Sequence, residues 1–267
     1  MQVGEVRVAM DSDFEKLKEI CENHDGWRQD YNKNGIVVWT KSTDVTSFKM
    51  IKVFSTFKDI PADVMYDVLH DPSYRRVWDT NMIEGFEVCC LNPNNDIGYY
   101  AIKCPGPIRN RDFVTQRSWL ATEKEYLILN HSVNHELVPI KKGFLRGMSY
   151  LTGYVMRPLE SNSKGCQLYY VTQCDPKGKL PSWGVNKLTT MLAPKIIQRL
   201  QKAAKNYESW KSKNNPSFKP WIYPEQITIP RLNYDHIKAF SDSLAQSEES
   251  LEDEENFKLS DFHDEDV

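Results

Sequence analysis

No run of eighteen apolar residues occurs anywhere in the 267-residue chain, which excludes an obvious membrane-spanning helix. The start, MQVGEVRVAMDSDF, has neither the basic opening nor the apolar stretch of a signal peptide, so the expected location is the cytosol. The six cysteines (Cys21, Cys89, Cys90, Cys104, Cys166 and Cys174) include no C-x-x-C pair. Four of them fall in apolar, strand-like runs where a thiol behaves as a small hydrophobe, and they are expected to be reduced and structural. The G-x-S-x-G elbow, the P-loop and H-E-x-x-H are all missing, and the close pair His131 and His135 has no third ligand at metal spacing. These absences argue against an enzyme and against any metal or other cofactor. No internal repeat is evident.

What remains is an ordinary globular composition, 40% hydrophobic and 12% aromatic, sufficient for a sizeable core. The net charge of −3 conceals an asymmetry. Residues 241–267 hold eleven acidic residues and one lysine, whereas residues 1–240 carry 33 basic against 26 acidic side chains. A mildly basic body favours anionic partners such as phospholipid headgroups, but the surplus is too diffuse to suggest nucleic acid.

Along the chain, residues 11–25 show Phe14, Leu17, Ile20 and Cys21 at helical spacing, ending near Gly26. Strand patterns follow at 27–31, at 36–41 after the hairpin signal Asn34-Gly35, and at 48–57. Pro61 opens a helix that should end at Asp71-Pro72. Further strands are expected at 83–91, 98–104, 112–122, 126–133, 144–156 and 165–174, each bounded by Pro, Gly, Asn or Asp. Residues 181–213 then read as one long amphipathic helix. Its stripe comprises Leu188, Leu192, Ile196, Leu200, Ala204 and Tyr207, widened by Met191, Ala193, Ile197 and Ala203. Such a helix spans roughly 40 Å at ~1.5 Å per residue.

Consecutive strands with short connections indicate antiparallel pairing and an α+β fold: a curved sheet of about nine strands gripping the long helix. The expected organisation is an N-terminal extension (1–11), a main domain (12–213), a proline- and aromatic-rich extension packed on it without regular structure (214–240), and an acidic, disordered tail (241–267).

Three separated segments, YRRVWD at 74–79, PGPIRNRDFV at 105–114 and LPSWGVNK at 180–187, together resemble the START (steroidogenic-acute-regulatory-related lipid transfer) domain family, in particular its phosphatidylcholine-transfer-protein-like branch. The resemblance covers roughly residues 12–225. It implies a helix-grip fold whose sheet encloses a cavity for one lipid, with the C-terminal helix as lid.

Arg75 and Asp79 are four residues apart and share a side if their segment is helical. An exposed pair in that order adds little to helix stability. The resemblance implies that Arg75 binds the lipid phosphate, for which its planar fork is suited, and that Asp79 orients it; a purely structural ion pair is the alternative. It likewise places a headgroup cage at Tyr100, Phe113 and Tyr154, where aromatic faces would attract a quaternary ammonium, or else serve as ordinary core. The family's choline-selective cage has a Trp and a Tyr where this chain has Tyr100 and Phe113. The expectation is therefore that phosphatidylethanolamine is accepted alongside phosphatidylcholine.

Cys104, Pro105, Gly106, Pro107 and Ile108, in a segment with too many breakers to continue a strand, resemble the loop at the cavity mouth, with Trp183, Gly184 and Val185 facing them as gate and membrane contact. Arg109, Arg111 and Asp112 suggest a structural ion network. Ser250, before LEDEE, is a candidate phosphosite for an acidophilic kinase. The expected function is non-vesicular phospholipid transfer by a cytoplasmic monomer that touches membranes transiently. Sterol carriage, or a hydrolase using Cys104 or a cavity serine, stands as the alternative.

Overall fold

The computed structural model describes residues 1–104 and 108–240. Pro105, Gly106 and Pro107, and the tail with Ser250, lie outside the described residues. Helix α1 (Asp11–Glu22) precedes strands β1 (Arg28–Lys33), β2 (Ile36–Lys41) and β3 (Met50–Phe57). Helices α2 (Ala62–His70) and α3 (Pro72–Trp78) follow, and then β4 (Met82–Asn92), β5 (Asn95–Ile102), β6 (Asn110–Ala121) and β7 (Tyr126–Ser132). The series ends with β8 (Phe144–Arg146), β9 (Met148–Leu159), β10 (Asn162–Asp175) and the long helix α4 (Ser182–Lys211). All strands join one open sheet in the order β1-β2-β3-β10-β9-β7-β6-β5-β4, with β8 attached to β6. No helix among the described residues is long and apolar enough to cross a membrane.

Local chemistry explains most of these elements. Asn34 and Gly35 both have positive φ, +54° and +74°, the conformation that a two-residue hairpin turn requires between β1 and β2. The helix from Pro61 ends at Asp71 as expected, but α3 begins at once. Pro72 is pre-set for the first helical position, and the Asp71 carboxylate accepts from the backbone N–H groups of Ser73 and Tyr74, both at 3.0 Å.

Three sequence expectations need correction. The strand expected over 144–156 is broken at Gly147, whose N–H turns to the carbonyl of Asp112 and where a Cβ would stand 2.4 Å from the Phe113 ring. Its first piece, β8, pairs with β6 in parallel, so the sheet has ten strands rather than about nine and is not wholly antiparallel. Residues 214–240 contain two short 3₁₀ turns, Pro224–Gln226 and Tyr234–His236, and bridge to the sheet at Cys90↔Arg231 and to the loop residue His135 through Ile237. They fold here because edge strand β4 has an unpaired N–H and C=O at Cys90, which Pro230 and Leu232 satisfy at 2.9 Å each. Within α4, Met191 and Ile196 are 58% and 38% exposed, outside the buried stripe that their spacing suggested, while Lys211 is buried.

The two sheet faces have different partners. On the convex face, α1 packs Phe14, Leu17 and Cys21 on Leu127, Leu129, Val155 and Val171. Gly153 allows the close approach, since a Cβ there would lie 2.4 Å from Leu17. The concave face is covered by α2, α3 and α4, with Ala193, Ile197, Leu200, Ala203 and Tyr207 in the core they share with β2, β3, β7, β9 and β10.

Lys52 is fully buried on the convex side beneath Trp27, and its Nζ donates to the carbonyls of Ile20 (3.0 Å) and Asn23 (2.7 Å) at the end of α1. It thus serves as a C-cap supplied from the sheet. Burial lowers its pKa to about 8 from 10.5. A base with a depressed folded pKa binds fewer protons folded than unfolded between those values, so its contribution to stability rises with pH over that window. Denaturant midpoints measured from pH 7.5 to 10.5 should show a wild-type increment that Lys52→Met lacks; parallel profiles would refute it.

Candidate lipid-binding site

The interior between α3 and the concave face holds the charged residues singled out in the sequence. Arg75 lies within α3 and Asp79 caps its end. Arg75 Nε donates to Asp79 Oδ2 at 3.2 Å, and Tyr100 Oη, from β5, donates to the same oxygen at 2.7 Å. The guanidinium lies 4.9 Å from the Tyr100 ring centroid and 5.6 Å from that of Trp78, close enough for cation–π attraction to both. Among the described residues this Nε bond is the one side-chain hydrogen bond that Arg75 gives, which leaves both Nη groups uncommitted.

Arg75 combines depth with free surface. Burial is the largest influence on its acidity and opposes the charge, but Tyr100, Asp79 and Tyr154 more than offset it and raise the pKa above the usual arginine value. The side chain nevertheless keeps 31% of its surface free. Tyr100, Tyr154 and Tyr170 behave alike: each is half-buried by surface, yet burial is the leading cause of a raised phenol pKa.

The sheet register supplies the remaining geometry. Phe113 is the direct partner of Tyr100 across β5 and β6, against Gly147. Tyr154 is opposite Tyr170 across β9 and β10, their rings stacked at 4.9 Å. Two residues away along the same strand pair, the hydroxyls of Thr152 and Thr172 meet at 3.0 Å, with Cys174 Sγ 3.3 Å from Thr172. The structure therefore brings Arg75, Asp79, Tyr100 and Tyr154 close together, with Phe113 beside Tyr100. Trp78, beside Arg75, and Tyr170, stacked on Tyr154, adjoin the same group and were not singled out from sequence as site residues. Strand alternation with Tyr154 and Thr152 was the signal that would have found Tyr170 and Thr172 once the pairing of β9 with β10 was known.

Of the residues expected at the gate, Trp183 is 61% exposed, Gly184 buried, Val185 and Cys104 half-buried and Ile108 buried. Arg111 and Asp112 are both buried. Arg111 donates to the carbonyls of Pro176 and Lys177, each at 3.0 Å, while Asp112 accepts from Arg146 at 2.8 Å, a residue absent from the expected network.

A sheet wrapped around a long helix, with an ion pair and aromatic rings between helix and sheet, is the architecture of a helix-grip protein. The START domain model matches residues 7–209, and the chain belongs to the START domain family. It is 41% identical to mouse START domain-containing protein 10 over 247 residues, 92% of this chain and 84% of that protein. Bovine phosphatidylcholine transfer protein is 28% identical over 186 residues, 68% of this chain and 85% of that protein. The crystal structure of human STARD10 superposes with a TM-score of 0.84 at 40% identity, covering 88% of this chain and 96% of that one.

Proposed function

We propose that the protein carries one phospholipid in its interior and exchanges it between membranes. The observation that carries this reading is Arg75, a permanently charged side chain held deep in the protein with both Nη groups uncommitted. Burying such a charge is costly unless it is answered. Asp79 answers part of it through Nε, and a phosphate fits the free end of the fork. A sterol offers no anion, which disfavours sterol carriage. The relatives named above include phosphatidylcholine transfer proteins, which supports the same class of cargo.

Tyr100, Phe113 and Tyr154 present aromatic faces around this position, suited to a headgroup ammonium. With Tyr100 and Phe113 where the choline-selective cage has Trp and Tyr, the cage encloses trimethylammonium less completely, so we assign both phosphatidylcholine and phosphatidylethanolamine as cargo. Exposed Trp183, at the start of a helix whose solvent side carries Lys187, Lys195, Arg199 and Lys202, would dip into an anionic bilayer during exchange. On this reading the protein acts as a monomer with its mouth free, and phosphorylation of Ser250 by an acidophilic kinase would weaken docking by adding negative charge.

The test is native mass spectrometry of protein purified from cells without detergent, followed by extraction and identification of the bound lipid. A one-to-one adduct of phosphatidylcholine or phosphatidylethanolamine is expected. A sterol or ceramide adduct, or an empty protein that resists loading from vesicles, would overturn the assignment.

A further inference from the structure

A second polar cluster occupies the same concave side, six positions along β6 from Phe113 at Trp119, roughly 20 Å away at ~3.3 Å per residue. Tyr66 and His70 of α2 and Trp119 of β6 are 1%, 2% and 5% exposed. The His70 ring lies 4.4 Å from Tyr66 and 5.0 Å from Trp119, and Trp221 of the C-terminal extension stacks on it at 5.8 Å. Within this aromatic nest Tyr66 Oη, Trp119 Nε1 and both ring nitrogens of His70 have no hydrogen-bond partner among the described residues. Orphaned polar groups in an apolar interior are costly, and four of them in one nest call for an occupant.

The neighbouring charges restrict what that occupant is. Arg117 stacks on Trp119 at 5.1 Å, but its guanidinium is already answered by Asp96 and Glu87. An anion is therefore not called for. Burial, aided by the Arg117 charge, holds His70 well below the usual imidazole pKa, so the ring is neutral, with one nitrogen a donor and the other an acceptor. Trp119 donates only, and Tyr66 does either. A neutral group that both accepts and donates fits this set, and a hydroxyl is such a group. Beside the nest, a partly open cleft of about 70 Å³ runs between Arg117, Trp119 and Trp221.

We propose that the Tyr66–His70–Trp119 nest is a second lipid subsite that receives a hydroxyl carried on an acyl chain, so that the protein selects phospholipids with hydroxylated chains over those with plain hydrocarbon. The inference rests on the phospholipid reading above: with the headgroup beside Tyr100 and Phe113, the roughly 20 Å along β6 to the nest is a length that a long acyl chain spans. The extension contributes a wall through Trp221, held by the bond from Trp221 Nε1 to Asp67 at 2.7 Å. That wall lies beyond residue 209, where the family match ends.

The experiment offers the full-length protein mixed vesicles with equal amounts of two phosphatidylcholines, one with a linoleoyl chain and one with the corresponding hydroxy-octadecadienoyl chain, and quantifies bound lipid by mass spectrometry. One additional satisfied hydrogen bond corresponds to roughly a tenfold enrichment of the hydroxylated lipid. The enrichment should fall to about one in Trp119→Phe and His70→Phe, with uptake of the plain lipid unchanged. Tyr66→Phe removes a single oxygen and serves as the variant least able to disturb folding. Equal uptake of both lipids by the wild type would mean that the nest holds only water and would overturn the proposal, as would enrichment that survives all three substitutions. Uptake of neither lipid would instead overturn the phospholipid reading and this proposal with it.

Discussion

Arg75→Ala is expected to strip the protein of bound phospholipid while leaving it folded. Each charge-assisted hydrogen bond from guanidinium to phosphate is worth about 1.5–3 kcal/mol, so losing two lowers affinity by a factor on the order of 10² to 10⁴. The fold tolerates the change because Asp79 keeps its bond from Tyr100 Oη at 2.7 Å and because this pair retains free surface, 31% at Arg75 and 10% at Asp79, so that no charge is left fully buried. Arg75→Lys retains the charge but not the two-pronged fork, and should bind with intermediate affinity. Circular dichroism and a vesicle-to-vesicle transfer assay on the same preparations separate the two effects. Stoichiometric phospholipid on the folded alanine variant would show that Arg75 is structural.

Asp71→Ala should destabilise the fold more than Arg75→Ala, Lys52→Met or any substitution in the aromatic nest. One carboxylate caps α3 through the N–H groups of Ser73 and Tyr74 and accepts from Tyr207 Oη at 3.1 Å and Lys211 Nζ at 2.8 Å, both on α4. Asp71 and Lys211 are 2% and 6% exposed. Breaking a buried pair by removing one partner costs about 3–5 kcal/mol, and the lost cap adds about 1 kcal/mol. For a chain of this size that total lowers Tm by roughly 10–20 °C. The double variant Asp71→Ala, Lys211→Met removes the stranded ammonium and should recover part of the loss. A single variant with an unchanged Tm, or a double variant no better than the single, would contradict the pairing. Because Asp71 also fixes the start of the helix that carries Arg75, the same substitution should weaken lipid retention before it unfolds the protein.

The site was legible to different depths. Arg75 and Asp79 are close in sequence, so helical spacing and the YRRVWD resemblance brought them into view before any tertiary information. Tyr100 and Phe113 came from resemblance alone, and what Tyr100 does to Asp79 depends on strand β5 passing behind α3. His70 offered no signal: at the end of an amphipathic helix it reads as an ordinary polar terminus. Its lack of a hydrogen-bond partner among the described residues is set by Trp119 and Trp221, which arrive from positions about fifty and one hundred and fifty residues later.

Short-range sequence dictates the order of helices and strands, the hairpin at Asn34-Gly35, the length of α4 and the separation of a basic body from an acidic tail. Each follows from interactions within a few residues: turn chemistry, side-chain periodicity and local charge. Long-range packing dictates that Gly147 breaks a strand, that Lys211 is buried while Met191 is exposed, that residues 214–240 complete the sheet edge at Cys90, and that the concave face has uncommitted polar groups. Those outcomes depend on which distant groups meet and on how much room they leave. Periodicity marks the face of an element without naming its partner, so burial, pairing and empty space appear only when the sheet has closed on its helix.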